Sequence, residues 1–277
     1  MIDAHQHFWR LDRGDYGWLG PALAPIHRDF SPDDLARLLA LHGIERTILV
    51  QAAPTVAETR FLLDVAARTP FVAGVVGWAD LSAPDAAATI ADLAREARLV
   101  GLRPMVQDIA DDDWLVRPGL APAFRALAAH GLVFDALVLP RHLPRLLVVA
   151  ERHPDLAIVI DHLAKPEIRA RRLDPWRAGM AALAARPNVF CKLSGLVTEA
   201  KPGWTGADLR PYVAHVLVAF GPERLMWGSD WPVVDVAGGY DSWRAASLAL
   251  LGGLSAAERA AVLGGTAARV YLGRRGC

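Results

Sequence analysis

Three features of the sequence predict a (β/α)₈ barrel, formed as one α/β domain over residues 1–277. Eight short apolar runs recur along the chain, each ends at a polar or aromatic residue, and each is followed by a stretch of helical character. Runs that are apolar almost throughout suit strands buried on both faces, and strict alternation with helices implies a parallel sheet. Eight repeats in roughly 250 residues are the arithmetic of the closed barrel, with a doubly wound open sheet as the alternative. Neither a linker, a low-complexity segment nor a second compositional regime divides the chain.

The first strand is read in Met1-Ile2-Asp3-Ala4-His5-Gln6-His7-Phe8-Trp9. Side chains of a strand alternate faces, so His5 and His7 point one way and Gln6 the other. That is a two-toothed clamp for a metal ion; a catalytic zinc site needs about three protein ligands and an open position for water. The same pair would also suit solvated or backbone-bound histidines. Arg10 to Arg28 contains Gly14, Gly17, Gly20, Pro21 and Pro25, which break any regular element. Its Asp15, Tyr16 and Trp18 sit on a loop placed to help cover a pocket. Ser31-Pro32-Asp33-Asp34 then starts a helix, with Ser31 as N-cap, proline at the first position and two carboxylates near the positive end of the dipole. Leu35, Leu38, Leu39 and Leu41 follow, and Gly43 ends it.

Further strands are expected at Thr47 to Gln51, Phe71 to Trp78, Leu99 to Val106, Leu132 to Val138, Ala157 to His162, Val189 to Ser194 and Leu225 to Ser229. Helical stretches lie between them near 56–68, 84–97, 119–130, 141–153, 174–186 and 207–219. At the strand ends stand His5 and His7, Gln51, Trp78, Arg103, Asp135, Asp161-His162, Lys192 and Asp230. All such ends converge on one face of a parallel barrel, the face that carries the active site. Scattered polar residues thereby become one constellation.

Composition removes several classes of function. Lysine plus arginine number 30 and aspartate plus glutamate 30, so no charge excess points to nucleic acid or an anionic membrane surface. A 53% hydrophobic share favours a large core, yet no apolar run approaches the roughly 20 residues of a membrane span. Asp3, His5 and His7 occupy the region where a signal peptide would need basic and then apolar residues, so a cytoplasmic location is expected. The two cysteines, Cys191 and Cys277, make neither a disulfide framework nor a thiolate zinc site.

Five segments then carry a resemblance: Asp3-Ala-His-Gln-His-Phe-Trp9, Ile160-Asp-His-Leu-Ala-Lys-Pro166, Cys191-Lys-Leu-Ser-Gly195, Met226-Trp-Gly-Ser-Asp-Trp-Pro232 and Gly264-Gly-Thr-Ala-Ala-Arg-Val-Tyr271. In this order the chain resembles the amidohydrolase superfamily over nearly its whole length, and more closely its branch of sugar-acid and related lactonases. The resemblance implies that His5, His7, His162 and Asp230 hold one divalent ion, zinc being expected. It leaves that ion dispensable, since some members of the branch work without one. A second ion is not expected, because strand four ends Leu102-Arg103-Pro104-Met105 and strand five Phe134-Asp135-Ala136, without a bridging lysine or an extra ligand.

The implied chemistry is opening of a hydroxylated sugar lactone to its aldonic acid, with Asp230 as general base and His162 and Lys192 beside it. Lys192, inside an apolar strand, must pair with a carboxylate or face the pocket, and the pocket is expected. Arg103 would hold substrate oxygens or tie down Asp108 or another acid. Asp135 would accept sugar hydroxyls or partner Arg103 or Lys192. Gln51 completes the substrate-binding set with Trp78 and Trp231, which would stack on a sugar ring or simply pack. His27, His42, His130, His142, His153 and His215 fall in loops and on helices and are not assigned to the site. A decarboxylase of an unsaturated acid on the same scaffold, and a hydrolase of a dicarboxylate lactone, are the alternatives. The expected partner is a small lactone; oligomeric state has no signal in the sequence.

Overall fold

The computed structural model describes residues 1–273. Its eight strands are β1 (Ile2–Gln6), β2 (Arg46–Val50), β3 (Val72–Gly77), β4 (Leu99–Leu102), β5 (Val133–Ala136), β6 (Ile158–Ile160), β7 (Val189–Leu193) and β8 (Leu225–Trp227). They follow one another round the sheet in chain order, every adjacent pair parallel. Between β8 and β1 the ring is completed just beyond the strands, where Gln6 bridges Trp231 in parallel. There the amide of Asp230 donates to the His5 carbonyl at 2.8 Å and the amide of His7 to the Trp231 carbonyl at 2.8 Å. The barrel is the expected one, not the open sheet.

Strands are shorter than the apolar runs that announced them. Leu99 to Val106 supplies only four residues of ladder, and Ala157 to His162 only three. Tilted barrel strands diverge toward the mouth, and the polar residues at the run ends leave the ladder to turn over it. His7, Gln51, Trp78, Arg103, Asp161 and His162 therefore stand one or two positions past the regular strands and Asp230 three, while His5, Asp135 and Lys192 remain within them.

Helices return the chain: α1 (Pro32–His42), α2 (Val56–Arg68), α3 (Ala86–Leu93), α4 (Ala121–Ala129), α5 (Leu143–Arg152), α6 (Trp176–Ala184), α7 (Leu196–Glu199), α8 (Gly206–Phe220), α9 (Gly239–Leu250) and α10 (Ala256–Ala260). Ser31 caps α1 as read, with Asp34 accepting from the Ser31 amide at 2.8 Å. α7 is an addition, a single turn inserted directly after β7. None of the helices among the described residues is long and apolar enough to cross a membrane.

Two apolar layers result. Strand residues and the inner faces of the helices form one, and inward residues of the strands, among them Ala4, Ile48, Val76, Val133, Val159 and Met226, form the other. Val270 and Tyr271 of the C-terminal segment join this inner layer. Cys191 is buried in β7, and Cys277 lies outside the described residues.

The seam between β1 and β8 is held by Asp3. Its fully buried carboxylate accepts from the amides of Ser229 at 2.8 Å and His5 at 3.2 Å and from the Tyr240 hydroxyl at 3.3 Å. Burial pushes this carboxyl up to about 6, against the pull of those donors. Asp3→Ala strands three buried donors, each costing about 1–3 kcal/mol unless it finds water. We expect a loss of roughly 2–4 kcal/mol in urea unfolding at unchanged m-value, with a smaller loss in Asp3→Asn; equal stability of all three proteins would show that the seam does not rely on this side chain.

Candidate active site

At the mouth of the barrel the Nε2 atoms of His5 and His7 lie 3.2 Å apart. The alternation of a strand thus has the expected effect. Oδ1 of Asp230 stands 3.4 Å from His7 Nε2, 3.7 Å from His5 Nε2 and 3.9 Å from His162 Nε2. Ligand bonds of about 2.0–2.1 Å in a tetrahedron put donor atoms about 3.3–3.4 Å apart. The separations among His5, His7 and Asp230, 3.2–3.7 Å, are of that size, so these three side chains are spaced as donors to a single divalent ion, and His162 Nε2 stands beside them, 3.9 Å from Asp230.

The far side of each ring is engaged, which fixes its orientation. His7 Nδ1 donates to the Val50 carbonyl at 2.8 Å, leaving Nε2 as a bare acceptor. His162 Nδ1 meets Ser194 Oγ at 2.9 Å. His5 Nδ1 faces Lys192 Nζ at 3.3 Å and Asp161 Oδ1 at 3.6 Å. Burial pushes the His162 imidazole down to about 4, and burial together with the Lys192 charge lowers His5 well below its ordinary value. Neutral rings are the metal-binding form. Burial would raise the Asp230 carboxyl, but the imidazoles, His162 first, more than offset it and hold it well below the usual carboxylate range.

Backbone geometry at the site is costly. His162, Leu163, Ala164 and Lys165 all lie in the left-handed region, with φ of 53°, 53°, 57° and 49°, and Asp230 has φ 60°. None is glycine, and each costs roughly 1–2 kcal/mol. Such strain marks functional sites. Two glycines allow the close approach: a Cβ on Gly228 would sit 2.7 Å from His5 Cβ, and one on Gly195 would sit 2.4 Å from His162 Nδ1.

Beneath the histidines lies a buried ionic network. Lys192 is fully buried, 2.5 Å from Asp135 and 3.0 Å from Asp161, so the expectation that it faces the pocket is corrected: two carboxylates balance it inside the barrel. Asp135 is likewise fully enclosed, and both its oxygens receive the Tyr271 hydroxyl at 2.8 Å. Arg103 pairs with Asp161 at 3.2 Å, not with Asp108, and also donates to the Gln51 carbonyl. Gln51 in turn donates to the Arg103 carbonyl at 2.7 Å and is wholly buried.

A cavity of about 410 Å³ opens above this floor, lined by His7, His162, Asp230 and Arg103 and walled by Lys165, Glu199, Trp18 and Leu23 among others. A neighbouring cavity of about 510 Å³, bounded by Arg169, Lys201 and Trp204, is larger but carries none of the histidines. Trp18, from the Arg10 to Arg28 loop, donates its indole N–H to the Ala52 carbonyl at 2.7 Å and remains 38% exposed on the wall. Trp78 lines a separate cavity with Pro104 and Trp114. Trp231 is buried edge-on against Phe30 and Phe8, with centroids 5.1 and 6.1 Å away. Neither tryptophan lines the histidine cavity, and Trp231 packs. Among the unassigned histidines, His42 stacks on Tyr240 and His215 donates to the Arg177 carbonyl at 2.9 Å.

Three residues were not singled out from the sequence. Asp161 was visible only as the neighbour of His162 at a strand end, Lys165 only as part of a motif, and Glu199 not at all, because α7 interrupts the β/α rhythm.

Fold and site together define the class: the chain belongs to the amidohydrolase family, whose model matches residues 2–272. Its relatives narrow this further. It is 56% identical over 247 residues, 88% of this chain and 85% of the relative, to an L-fucono-1,5-lactonase of Burkholderia ambifaria. Another L-fucono-1,5-lactonase, from Burkholderia multivorans, is 43% identical over 98% of this chain and 95% of its own length. A crystal structure of a Burkholderia multivorans amidohydrolase with bound zinc superimposes with a TM-score of 0.92 at 42% identity, covering 98% of both chains.

The Gly195 contact provides a test of the donor geometry. Gly195→Ala has no room beside the His162 ring and must also hold φ +64°. We expect a folded protein by far-UV circular dichroism whose bound divalent metal falls well below that of the parent chain after dialysis and elemental analysis. Parent-level metal would show that His162 can move without cost to the site.

Proposed function

We propose that the chain hydrolyses a hydroxylated sugar lactone of the L-fucono-1,5-lactone type to its aldonic acid, with one zinc ion held by His5, His7, His162 and Asp230. The observation that carries this reading is the convergence of three imidazole nitrogens on the ionised Asp230 carboxylate at the floor of the cavity. The 56% identical lactonase and the zinc-bound relative support the substrate and the metal respectively. A divalent ion bound there supplies Lewis acidity, acidifying water and polarising a carbonyl oxygen.

The residues themselves account for the rest. Asp230 is ionised and opens onto the cavity, so it can take a proton from the attacking water. The water oxygen forms a bond to the ring carbonyl carbon, the acyl–oxygen bond of the ring breaks, and Asp230 returns the proton to the departing ring oxygen. Arg103, held rigid by Asp161 and the Gln51 carbonyl, presents a fixed cation on the cavity wall where a carbonyl oxygen gains negative charge. Lys192, out of reach of substrate, acts through His5. The wall carries Asp108, Glu199 and Asp230 against Arg103 and Lys165. Three carboxylates to two cations suit a neutral polyol better than a dicarboxylate, which would need converging arginines.

The deciding experiment is the initial rate of acid release from L-fucono-, L-rhamnono-, L-galactono- and D-glucono-lactones, read with a pH indicator on zinc-loaded and chelated protein. Fast release from at least one lactone, lost on chelation and restored by zinc, is expected; no release from any member would overturn the reading. Asp230→Asn should keep the fold and lose at least about two orders of magnitude in kcat. Near-parent turnover in that variant would remove Asp230 from proton transfer.

A further inference from the structure

We infer that Lys165 and Glu199 form the subsite that recognises the hydroxyl groups of the lactone, and so set selectivity for a polyhydroxylated ring over a bare one. The inference rests on the lactonase reading above and names a part of the site that the metal ligands and the proton shuttle leave unassigned.

Placement comes first. The tight left-handed turn that follows β6 runs from His162 to Lys165, and in a turn with three residues per repeat side chains i and i+3 fall on one side. The Lys165 side chain therefore leaves the turn on the side of His162, and both line the cavity. Glu199 ends α7, the single-turn helix that begins at Gly195 directly under the His162 ring, and it lines the same cavity. Two departures from the regular barrel, one after β6 and one after β7, thus deliver one cation and one anion to the same wall. The Ser194 to His162 hydrogen bond of 2.9 Å ties the two turns together.

Chemistry follows from their spacing. Lys165 Nζ and Glu199 Oε1 are 3.8 Å apart, longer than a direct hydrogen bond, and the two side chains keep 23% and 28% exposure. Donor and acceptor face each other across the wall, yet neither is saturated by the other. A sugar hydroxyl is both donor and acceptor, and a vicinal pair of hydroxyls meets an ammonium and a carboxylate at once. Burial raises the Glu199 carboxyl, Lys165 opposes that, and the Asp230 charge raises it further, which places Glu199 within the field of the reacting group. A site built to hydrogen-bond hydroxyls rejects a ligand that lacks them, because its buried polar groups are then left unpaired.

The test compares kcat/KM for L-fucono-1,5-lactone with that for unsubstituted δ-valerolactone, which has the same ring and no hydroxyls, in the zinc-loaded parent, Glu199→Ala, Glu199→Gln, Lys165→Met and Lys165→Arg. The expected result is a fall of about 10- to 100-fold in the ratio of the two in Glu199→Ala and Lys165→Met, the size of a hydrogen bond to a charged group, with partial recovery in Glu199→Gln and Lys165→Arg. Should the ratio stay within twofold of the parent in both truncated variants, the subsite assignment is overturned while the lactonase reading stands. If the parent itself opens neither lactone, the lactonase reading fails and takes the inference with it. Circular dichroism confirms folding, and the conservative pair supplies the answer where a truncation does not fold.

Discussion

The site depends on how the barrel closes. Between seven of the eight strand junctions the ladder runs through regular strand residues, but between β8 and β1 it is carried by residues just past the strands: Asp230 to His5, His7 to Trp231 and the Gln6 bridge. The backbone bonds that shut the ring are therefore bonds of residues we propose as metal ligands. Loss of closure and loss of the site are the same event. Asp3 reinforces this by accepting from one amide on each side of the seam, and Gly228 lets the two strands approach where a side chain would strike His5.

A second constraint lies below the histidines. Burying an ammonium without partners is prohibitive, and even a paired charge brings little net stability compared with apolar packing. Lys192 nevertheless occupies the barrel interior, with Asp135 and Asp161 on either side and Tyr271 closing the far end. The network makes sense as orientation. Where His7 Nδ1 finds the Val50 carbonyl, the partners of His5 Nδ1 among the described residues are Asp161 and Lys192. The charges hold the ring. Tyr271 extends the same chain of contacts to the C-terminal segment, so the far end of the polypeptide supports a ligand contributed by its beginning.

What could be read from the sequence follows from which rules are local. The alternation that placed His5 and His7 together needs only a strand, and the eight apolar runs needed only counting, so the barrel and the first half of the donor set were legible. That Asp230 and His162 join them followed from the convergence of strand ends. The fate of Lys192, Gln51 and Asp135 was not legible, because a polar residue near the end of an apolar run may point into the mouth or down into the barrel, and one residue of register decides. Trp78 and Trp231 failed as ring-stacking candidates for the same reason. Lys165 was hidden more deeply: four successive non-glycine residues in left-handed conformation contradict every local preference, and only the surrounding packing imposes them.

Counting charge across these layers explains why the donor set calls for a cation. In the floor, Lys192 and Arg103 balance Asp135 and Asp161, two against two, and on the wall Lys165 balances Glu199. Asp230 is left over. Among the described residues its ion-pair partners are His5, His7 and His162, and burial lowers the His5 and His162 imidazoles below their ordinary value. A buried carboxylate without a full countercharge is costly, and Asp230 is surrounded by three imidazoles, with the Arg103 guanidinium next to His5 Nε2 at 3.4 Å. A divalent cation at the proposed site would satisfy the carboxylate and leave the floor with one net positive charge. That is the sign required where a carbonyl oxygen becomes an oxyanion. The uncompensated charge at Asp230 is thus the electrostatic counterpart of its 3.4–3.9 Å spacing from the three imidazoles, and both support the metal site proposed above.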